Sequence, residues 1–207
     1  MEVTKYIHSC LLVDEGGKRF LFDPGNYTAD ANVLDVESLD SLDYLLITHD
    51  HADHMYIPLI RRILAKFPNL LIITNTSAKA ILEKDGITAS TEPTDLIKIE
   101  VVPHERVFGG EPPPNIMFKI GDFTDPGDSH HFSSSTKVLA LPVQAPWGSL
   151  TQAVELAVSL KPEVILPIHD WHWNEVAREA FYKRLEAYFA TQRIKFISLK
   201  TAEKVTV

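Results

Sequence analysis

The sequence predicts an α/β protein in which β-sheets are covered by helices. Short apolar segments of strand length alternate along the chain with segments whose apolar residues recur at helical spacing, and the first two strands have the pattern of a hairpin. The 207 residues include 45% hydrophobic and 23% charged residues, values typical of a globular protein with a sizeable core. We therefore expect a single domain that spans residues 1–207.

Nine segments have the length and apolar character of β-strands. The first two flank Glu15-Gly16-Gly17, a turn typical of a β-hairpin, and Asp23-Pro24-Gly25 ends the second. Residues 44–48 and 70–74 are continuously apolar, which is typical of strands covered on both faces. The predicted strands are residues 6–14, 18–23, 44–48, 70–74, 96–102, 116–120, 137–143, 163–168 and 194–199.

Four helices are predicted among these strands. The first carries an apolar stripe at helical spacing and ends before Pro68, and the second ends near Gly86. Ser149 and Asn174 are favourable N-caps for the third and fourth, because their side chains accept from the first free backbone N–H groups. The predicted helices are residues 57–67, 78–84, 150–160 and 175–190.

Charge and composition exclude several functional classes. The net charge of −8 comes from 28 acidic and 20 basic residues, and it provides no basic patch for a nucleic-acid polymer or an anionic membrane surface. Cys10 is the only cysteine, so no disulfide framework is possible. No apolar run approaches the roughly 18 residues of a membrane span, and the first residues lack a signal-peptide pattern. We expect a cytoplasmic protein with a small-molecule substrate; its oligomeric state is not predicted.

A dense group of metal-ligand side chains follows the predicted strand 44–48. The segment His49-Asp50-His51-Ala52-Asp53-His54 packs imidazoles and carboxylates, the nitrogen and oxygen ligands that zinc-type cations take, into six residues at a strand end. His49 and His51 can point to one centre, and Asp53 and His54 to a second nearby. The alternative is a solvated polar turn, but the apolar strand and helix on either side argue against it. The spacing therefore indicates two metals.

This segment resembles the HxHxDH motif of the metallo-β-lactamase-fold hydrolases. The resemblance implies a four-layer αββα sandwich, with two mixed β-sheets flanked by helices and the site in strand-end loops at one edge. Residues 141–147 (LPVQAPW) are also similar to small bacterial members related to the ascorbate-6-phosphate lactonase and phospholipase D-like branch. The family pattern further implies a third His, a bridging Asp and a last His downstream.

Three residues match these downstream positions. His104 is the only histidine between residues 55 and 129 and ends a predicted strand. Asp128 lies in a Gly-Asp-Ser turn like that of the family, with Asp122 and Asp125 as alternatives. His169 ends the predicted strand 163–168, and His172 is its alternative.

The resemblance then implies a complete site. His49, His51 and His104 would hold one metal, Asp53, His54 and His169 the other, and Asp128 would bridge them. Asp23 would orient a metal-bound histidine from behind, as such carboxylates do. Asp53 would also direct the attacking hydroxide and carry a proton to the leaving group. Zinc suits a histidine-rich set, and manganese or iron is compatible with it.

Several other side chains could reach the substrate or simply pack. At most one of His130 and His131 would face the metals, because adjacent residues of an extended segment point to opposite sides. Trp147 and Gly148 precede the helix that Ser149 caps, and the N-terminus of that helix could receive an anionic group. Trp171, His172 and Trp173 could form an apolar wall, although packing or a solvated loop is the simpler interpretation for each of these residues. His8 and Cys10 are interpreted as structural residues of the first strand.

These observations predict a dinuclear metal-dependent hydrolase in which a metal-bridging hydroxide attacks a small ester, lactone or phosphodiester. Two alternatives stay open. One is a phosphodiesterase or nuclease that acts on nucleotides. The other is a metal-binding sensor domain without catalysis, since a fold does not determine a function.

Overall fold

A computed structural model describes residues 1–207 and contains twelve β-strands and five α-helices. The strands are Glu2–Lys5 (β1), Leu11–Glu15 (β2), Lys18–Phe22 (β3), Tyr44–Leu46 (β4), Leu71–Ile73 (β5), Ile97–Val101 (β6), Ile116–Ile120 (β7), Phe123–Asp125 (β8), Val138–Pro142 (β9), Val164–Ile168 (β10), Lys195–Phe196 (β11) and Glu203–Thr206 (β12). The helices are Asn26–Asp30 (α1), Ile57–Lys66 (α2), Thr76–Lys84 (α3), Leu150–Leu160 (α4) and Glu175–Thr191 (α5), and a short 3₁₀ turn covers Val36–Ser38.

The strands form two six-stranded mixed sheets, in the orders β12-β1-β2-β3-β4-β5 and β11-β10-β9-β8-β7-β6. In the first sheet β12, β1, β2 and β3 are antiparallel, and β3, β4 and β5 are parallel. In the second sheet β6, β7 and β8 are antiparallel, and β8 to β11 are parallel. Each sheet therefore begins as a hairpin meander and continues with crossover connections, as expected when helices alternate with strands.

Successive side chains of a strand point to opposite faces of its sheet. The buried residues therefore form one core between the two sheets and two outer cores between each sheet and its helices. Phe20 and Phe22 of β3 face the second sheet, where the Phe22 ring lies 6.1 Å from that of Phe118 and 5.4 Å from that of Phe123. Leu21, between them, points outward to the core that α2 and α3 cover, and α4 and α5 cover the outer face of the second sheet. The predicted αββα order of layers is confirmed.

The helix boundaries follow the predicted capping. Ser149 and Gln152 form a reciprocal capping box at the start of α4, and the Asn174 side chain accepts a hydrogen bond from Ala177 N at the start of α5. Pro58 lies in the first turn of α2, where its missing N–H costs nothing. No helix combines the length and the apolar character that crossing a membrane requires.

The strand predictions were wrong at both ends of the chain. The predicted strand 6–14 begins only at Leu11, because residues 6–10 form a turn closed by a hydrogen bond from Tyr6 N to Cys10 O (2.9 Å). The final predicted strand, 194–199, is reduced to β11, and the chain instead closes with β12 beside β1. Strands β1 and β8 and helix α1 were not predicted, since three to five residues carry too little periodicity.

Candidate metal centre

The candidate site lies where loops from both sheets meet at one edge. His49 follows β4, His104 follows β6, Asp128 follows β8, and His169 directly follows β10. Strand ends are the usual position of ligand sites in sheets of this kind, because several loops converge there. All four side chains are no more than 3% exposed.

A tight turn shapes the segment 49–54. The backbone N–H groups of His54 and Met55 both donate to His51 O, at 2.9 and 2.8 Å. The same loop is docked on the turn that follows β3, where Asn26 N donates to Ala52 O at 2.8 Å. The backbone thus holds this loop in place independently of the imidazoles.

The carboxylate of Asp128 lies at the centre of the imidazoles. Its Oδ1 is 3.0 Å from His54 Nε2 and 2.8 Å from His169 Nε2. Its Oδ2 is 3.3 Å from His104 Nε2 and 3.8 Å from His49 Nε2. The two oxygens therefore face two different sets of nitrogen atoms, which is the arrangement that a bridging carboxylate requires.

Six of the seven predicted ligands come together in this way, and one lies beside them. The ligand atoms of one group lie within 4.8 Å of one another, and so do those of a second group. The first group is His49, His51, His104 and Asp128, and the second is His54, His169 and His8. Asp53 belongs to neither group. It lies next to the second one, where its Oδ2 is 3.1 Å from His8 Nε2.

Carbonyl and carboxylate groups behind the imidazoles set their orientation. Asp23 Oδ2 is 2.7 Å from His54 Nδ1 and accepts from Thr48 Oγ1 at 2.7 Å, while its Oδ1 accepts from Thr48 N at 2.8 Å. His104 Nδ1 similarly donates to the carbonyl of Glu105 at 2.6 Å. With Nδ1 occupied, the Nε2 atoms of both rings are directed at Asp128, and the contact predicted for Asp23 is present.

Buried atoms without hydrogen bonds show that the site fits a cation. Polar atoms in a protein interior are nearly always paired, because leaving one unpaired costs about 1–3 kcal/mol. Here several atoms around the Asp128 carboxylate have no hydrogen bond of adequate geometry: His54 Nε2, His104 Nε2, His169 Nε2 and Asp128 Oδ1. Imidazole nitrogens and carboxylate oxygens are the ligand types that divalent transition metals accept.

Electrostatics favours positive charge at the same point. Burial alone would raise the pKa of Asp128, but the imidazoles of His169, His54 and His49 hold the pKa of that carboxyl well below its usual range. Burial lowers the pKa of His49 well below that of a free imidazole. For His54 burial acts in the same direction, yet the carboxylates of Asp128 and Asp23 outweigh it and raise the pKa well above its ordinary value. A cation between His54 Nε2 and the Asp128 carboxylate would take the place of the proton on that nitrogen, while Asp23 stays on the Nδ1 side of the ring.

One protein-family model matches most of the chain. The beta-lactamase superfamily domain matches residues 2–169, a segment that contains all the predicted ligands. The chain belongs to the β-lactamase superfamily. The resemblance that the HxHxDH segment indicated is therefore confirmed.

Similar proteins and a similar solved structure cover most of the chain. Protein Rv0786c of Mycobacterium tuberculosis is 29% identical over 202 residues, which are 89% of this chain and 91% of that protein. A UPF0173 metal-dependent hydrolase of Natranaerobius thermophilus is 28% identical over 80% of this chain and 82% of its own length. The structure of Igni18, a metallo hydrolase from the archaeon Ignicoccus hospitalis, has a TM-score of 0.71 at 18% identity and covers 99% of this chain and 97% of that one. The predicted class, a metal-dependent hydrolase, is confirmed at this level.

The alternatives to the superfamily ligands lie away from the centre. Asp122 is half exposed and paired with Lys137 at 2.7 Å. Asp125 is buried beneath the site, where burial and the nearby Asp23 raise its pKa to about 8. The His172 ring lies 5.9 Å from that of His8 and in neither group of ligand atoms. These positions leave Asp128 and His169 as the residues that meet the other imidazoles.

Aromatic side chains border the centre. Trp147 Nε1 donates to Asp128 Oδ2 at 2.9 Å, and its ring lies 5.5 Å from that of His169 and 5.4 Å from that of His130. His130 is mostly buried, whereas the side chain of His131 is 65% exposed, so the two do point to different sides.

Near His8, whose ring is 5.2 Å from that of Tyr27, Tyr27 stacks on Trp171 at 5.3 Å. Trp173 packs elsewhere, against Phe181 of α5 at 4.8 Å. Trp147, which was not among the predicted wall residues, is the tryptophan that contacts a central carboxylate.

His8 was missed as a site residue. It lies in the turn between β1 and β2 and not on a strand, and its ring is 4.0 Å from that of His169. A lone histidine in an apolar segment gives no sign of this in the sequence, because its neighbours in space are 45 and 161 residues away. Cys10, in contrast, is a buried residue whose thiol pKa is raised by burial, in line with a structural role.

Proposed function

We propose that the chain is a dinuclear metal-dependent hydrolase that cleaves a small ester, lactone or phosphodiester. His49, His51 and His104 would hold one divalent cation, and Asp53, His54 and His169 the other, with Asp128 between them. The observation that carries the proposal is the division of the Asp128 oxygens between two sets of imidazole nitrogens, three of which, the Nε2 atoms of His54, His104 and His169, have no hydrogen bond.

The chemistry follows from the residues that surround this point. Two bound cations would supply a hydroxide at neutral pH and stabilise the negative charge that develops in the transition state. Asp53 is the most exposed of the three residues proposed for the second cation, since its side chain is 25% exposed against 0% for His54 and 1% for His169. Burial alone would raise its pKa, but His8 and His54 lower it, so the carboxylate is ionised and can accept a hydrogen bond from a water and direct that water.

Charge and surroundings support a small substrate. The net charge of −8 does not favour a nucleic-acid polymer or an anionic membrane. Aromatic side chains border the site, with Trp147 on the Asp128 carboxylate and Tyr27 stacked on Trp171 near His8. Zinc suits the imidazole-rich set, with manganese or iron compatible. We further propose that the chain acts as one domain, in the cytoplasm.

The test combines metal analysis with a substrate screen. The purified protein and the variants Asp128→Asn, His51→Ala and Asp122→Asn are analysed for metal and assayed on esters, lactones and bis-p-nitrophenyl phosphate. We expect about two metal ions per chain in the parent and in the control Asp122→Asn, and loss of both in Asp128→Asn. Hydrolysis should fall at least about 100-fold in Asp128→Asn and His51→Ala, the scale on which perturbed metal sites lose activity.

Other outcomes would revise the proposal in defined ways. One metal ion per parent chain would refute a dinuclear site, and loss of only one ion from Asp128→Asn would refute the bridging role. Activity on bis-p-nitrophenyl phosphate alone would select a phosphodiesterase. Two bound ions without hydrolysis of any substrate would select the sensor alternative.

A further inference from the structure

His8 is a buried residue in an unfavourable conformation. It is 1% exposed, and its backbone φ of 62° lies in the left-handed region that residues other than glycine rarely adopt. Neither of its ring nitrogens has a hydrogen bond of adequate geometry. Strained and unpaired residues persist where the surrounding structure holds them, and they concentrate at functional sites.

The backbone around His8 is tied to the candidate metal centre. The His8 carbonyl accepts a hydrogen bond from His169 N at 3.3 Å, and His169 itself has a φ of 61°. The carbonyl of the preceding residue, Ile7, accepts from Thr28 Oγ1 at 3.3 Å. The imidazole of His8 is therefore held at a fixed place beneath the centre.

The ring of His8 meets one carboxylate there. Its Nε2 lies 3.1 Å from Asp53 Oδ2, which is the only side-chain partner that the Asp53 carboxylate has in the structure. The N–H is not in line with that oxygen, but the terminal torsion of an aspartate is soft, so the carboxylate can turn toward the N–H at little cost. The Tyr27 ring, edge-on at 5.2 Å, closes the other side of the imidazole.

We propose that His8 is a positioning residue that acts through Asp53. Its Nε2–H holds Asp53 Oδ2 and leaves Oδ1 free for the cation of the His54 and His169 group. This inference rests on the proposed function and adds a residue that the HxHxDH pattern does not contain. It also accounts for the place of Asp53, which lies beside the ligand groups and against His8.

A double-mutant cycle tests the inference by metal affinity. His8→Asn suits the left-handed backbone but is too short to reach Asp53, whereas His8→Gln keeps an amide donor at longer reach. Zinc binding is titrated against a chelator for the parent, His8→Asn, His8→Gln, Asp53→Ala and the double variant His8→Asn/Asp53→Ala. His172→Asn serves as the matched control, and circular dichroism verifies the fold of each protein.

We expect His8→Asn to weaken the second zinc equivalent about 10–100-fold and to leave the first unchanged, while His8→Gln recovers part of the loss. In the Asp53→Ala background, His8→Asn should have no further effect, and His172→Asn should bind both ions like the parent. An equal loss in the Asp53→Ala background would mean that His8 binds the cation directly and would overturn positioning.

Two further results would also be decisive. Unchanged affinities in His8→Asn, with two ions bound by the parent, would overturn this inference alone. A parent protein that binds no zinc would overturn the proposed function and the inference together.

Discussion

Gly25 shows how closely the segment 49–54 approaches the turn after β3. A Cβ atom at this position would lie 1.7 Å from the backbone oxygen of Asp53. The backbone of Gly25 is extended, with φ −83° and ψ 176°, so its conformation is open to any residue and only space requires glycine. The side chain of Asp53 thus depends on a glycine 28 residues earlier in the chain.

Gly25→Ala should therefore disturb both stability and the site. We expect the free energy of unfolding to fall by about 1–3 kcal/mol, the range for overpacked positions, because the methyl group must displace the Asp53 backbone. Urea denaturation measures this loss, and zinc titration should show weaker binding of the second ion.

Gly110→Ala is the matched control. A Cβ at Gly110 meets nothing within 4 Å, so its unfolding free energy should change by less than about 0.5 kcal/mol. Equal changes in unfolding free energy for the two substitutions would show that the close approach of Asp53 to Gly25 does not contribute to stability.

At the scale of elements, a buried ion pair joins β1, the turn after β10 and helix α5. Lys5 Nζ lies 2.7 Å from Asp170 Oδ2, and the two side chains are 3% and 6% exposed. Tyr182 of α5 donates to the same carboxylate, and Arg178 Nε lies 3.2 Å from it. Burial would raise the pKa of Asp170, but Lys5 holds it below its usual range. Since Asp170 follows His169, this pair anchors the turn that carries the last candidate ligand.

Asp170→Asn should be strongly destabilising. Removal of one charge leaves Lys5 buried without its counter-ion, and such changes typically cost about 3–5 kcal/mol. Urea denaturation of the metal-free protein measures the effect. The control Asp122→Asn, in an exposed pair with Lys137, should leave the unfolding midpoint where it is. A similar midpoint for both variants would contradict the anchoring role.

The elements differ in how far the sequence predicts them. The predictions for β4, β5 and α2 are confirmed to within two residues, since both strands are short apolar runs and the helix has a regular stripe ended by proline. The edge strand β12 was not predicted, because most of its side chains are exposed and only its pairing with β1 makes it a strand. Strand β8 is three residues long, and its polar residues Thr124 and Asp125 make the segment look like a loop in the sequence.

At the scale of the whole molecule, buried histidines predict how stability depends on pH. Burial lowers the pKa of His130 below its ordinary value and that of His8 to about 4, whereas in the unfolded chain both titrate near 6.5. Above about pH 6.5 this contribution to stability is fully present. As the pH falls toward the folded-state values the unfolded chain takes up protons that the folded chain does not, and the contribution is lost. His54, with its raised pKa, acts in the opposite direction.

We expect the unfolding free energy of the chelator-treated protein to fall between about pH 6.5 and 5. Each such histidine contributes a slope of at most about 1.4 kcal/mol per pH unit. His130→Gln should flatten the dependence measured by urea denaturation at several pH values. His131→Gln, at an exposed neighbouring position, should leave the slope unchanged. If the pH dependence of the unfolding free energy were the same in His130→Gln as in the parent, the buried His130 imidazole would not be its cause.

The sequence by itself determined the fold class, the αββα order of layers and the superfamily, because strand and helix periodicity and the HxHxDH segment are local patterns. Through the resemblance it also predicted six of the seven residues in the two groups of ligand atoms, and it missed His8. Only the tertiary structure decided that Asp53 lies against His8, that Trp147 donates to Asp128, and that Asp170 is held by Lys5. These contacts join residues that are 19 to 165 positions apart and depend on how two sheets pack, which no local spacing encodes.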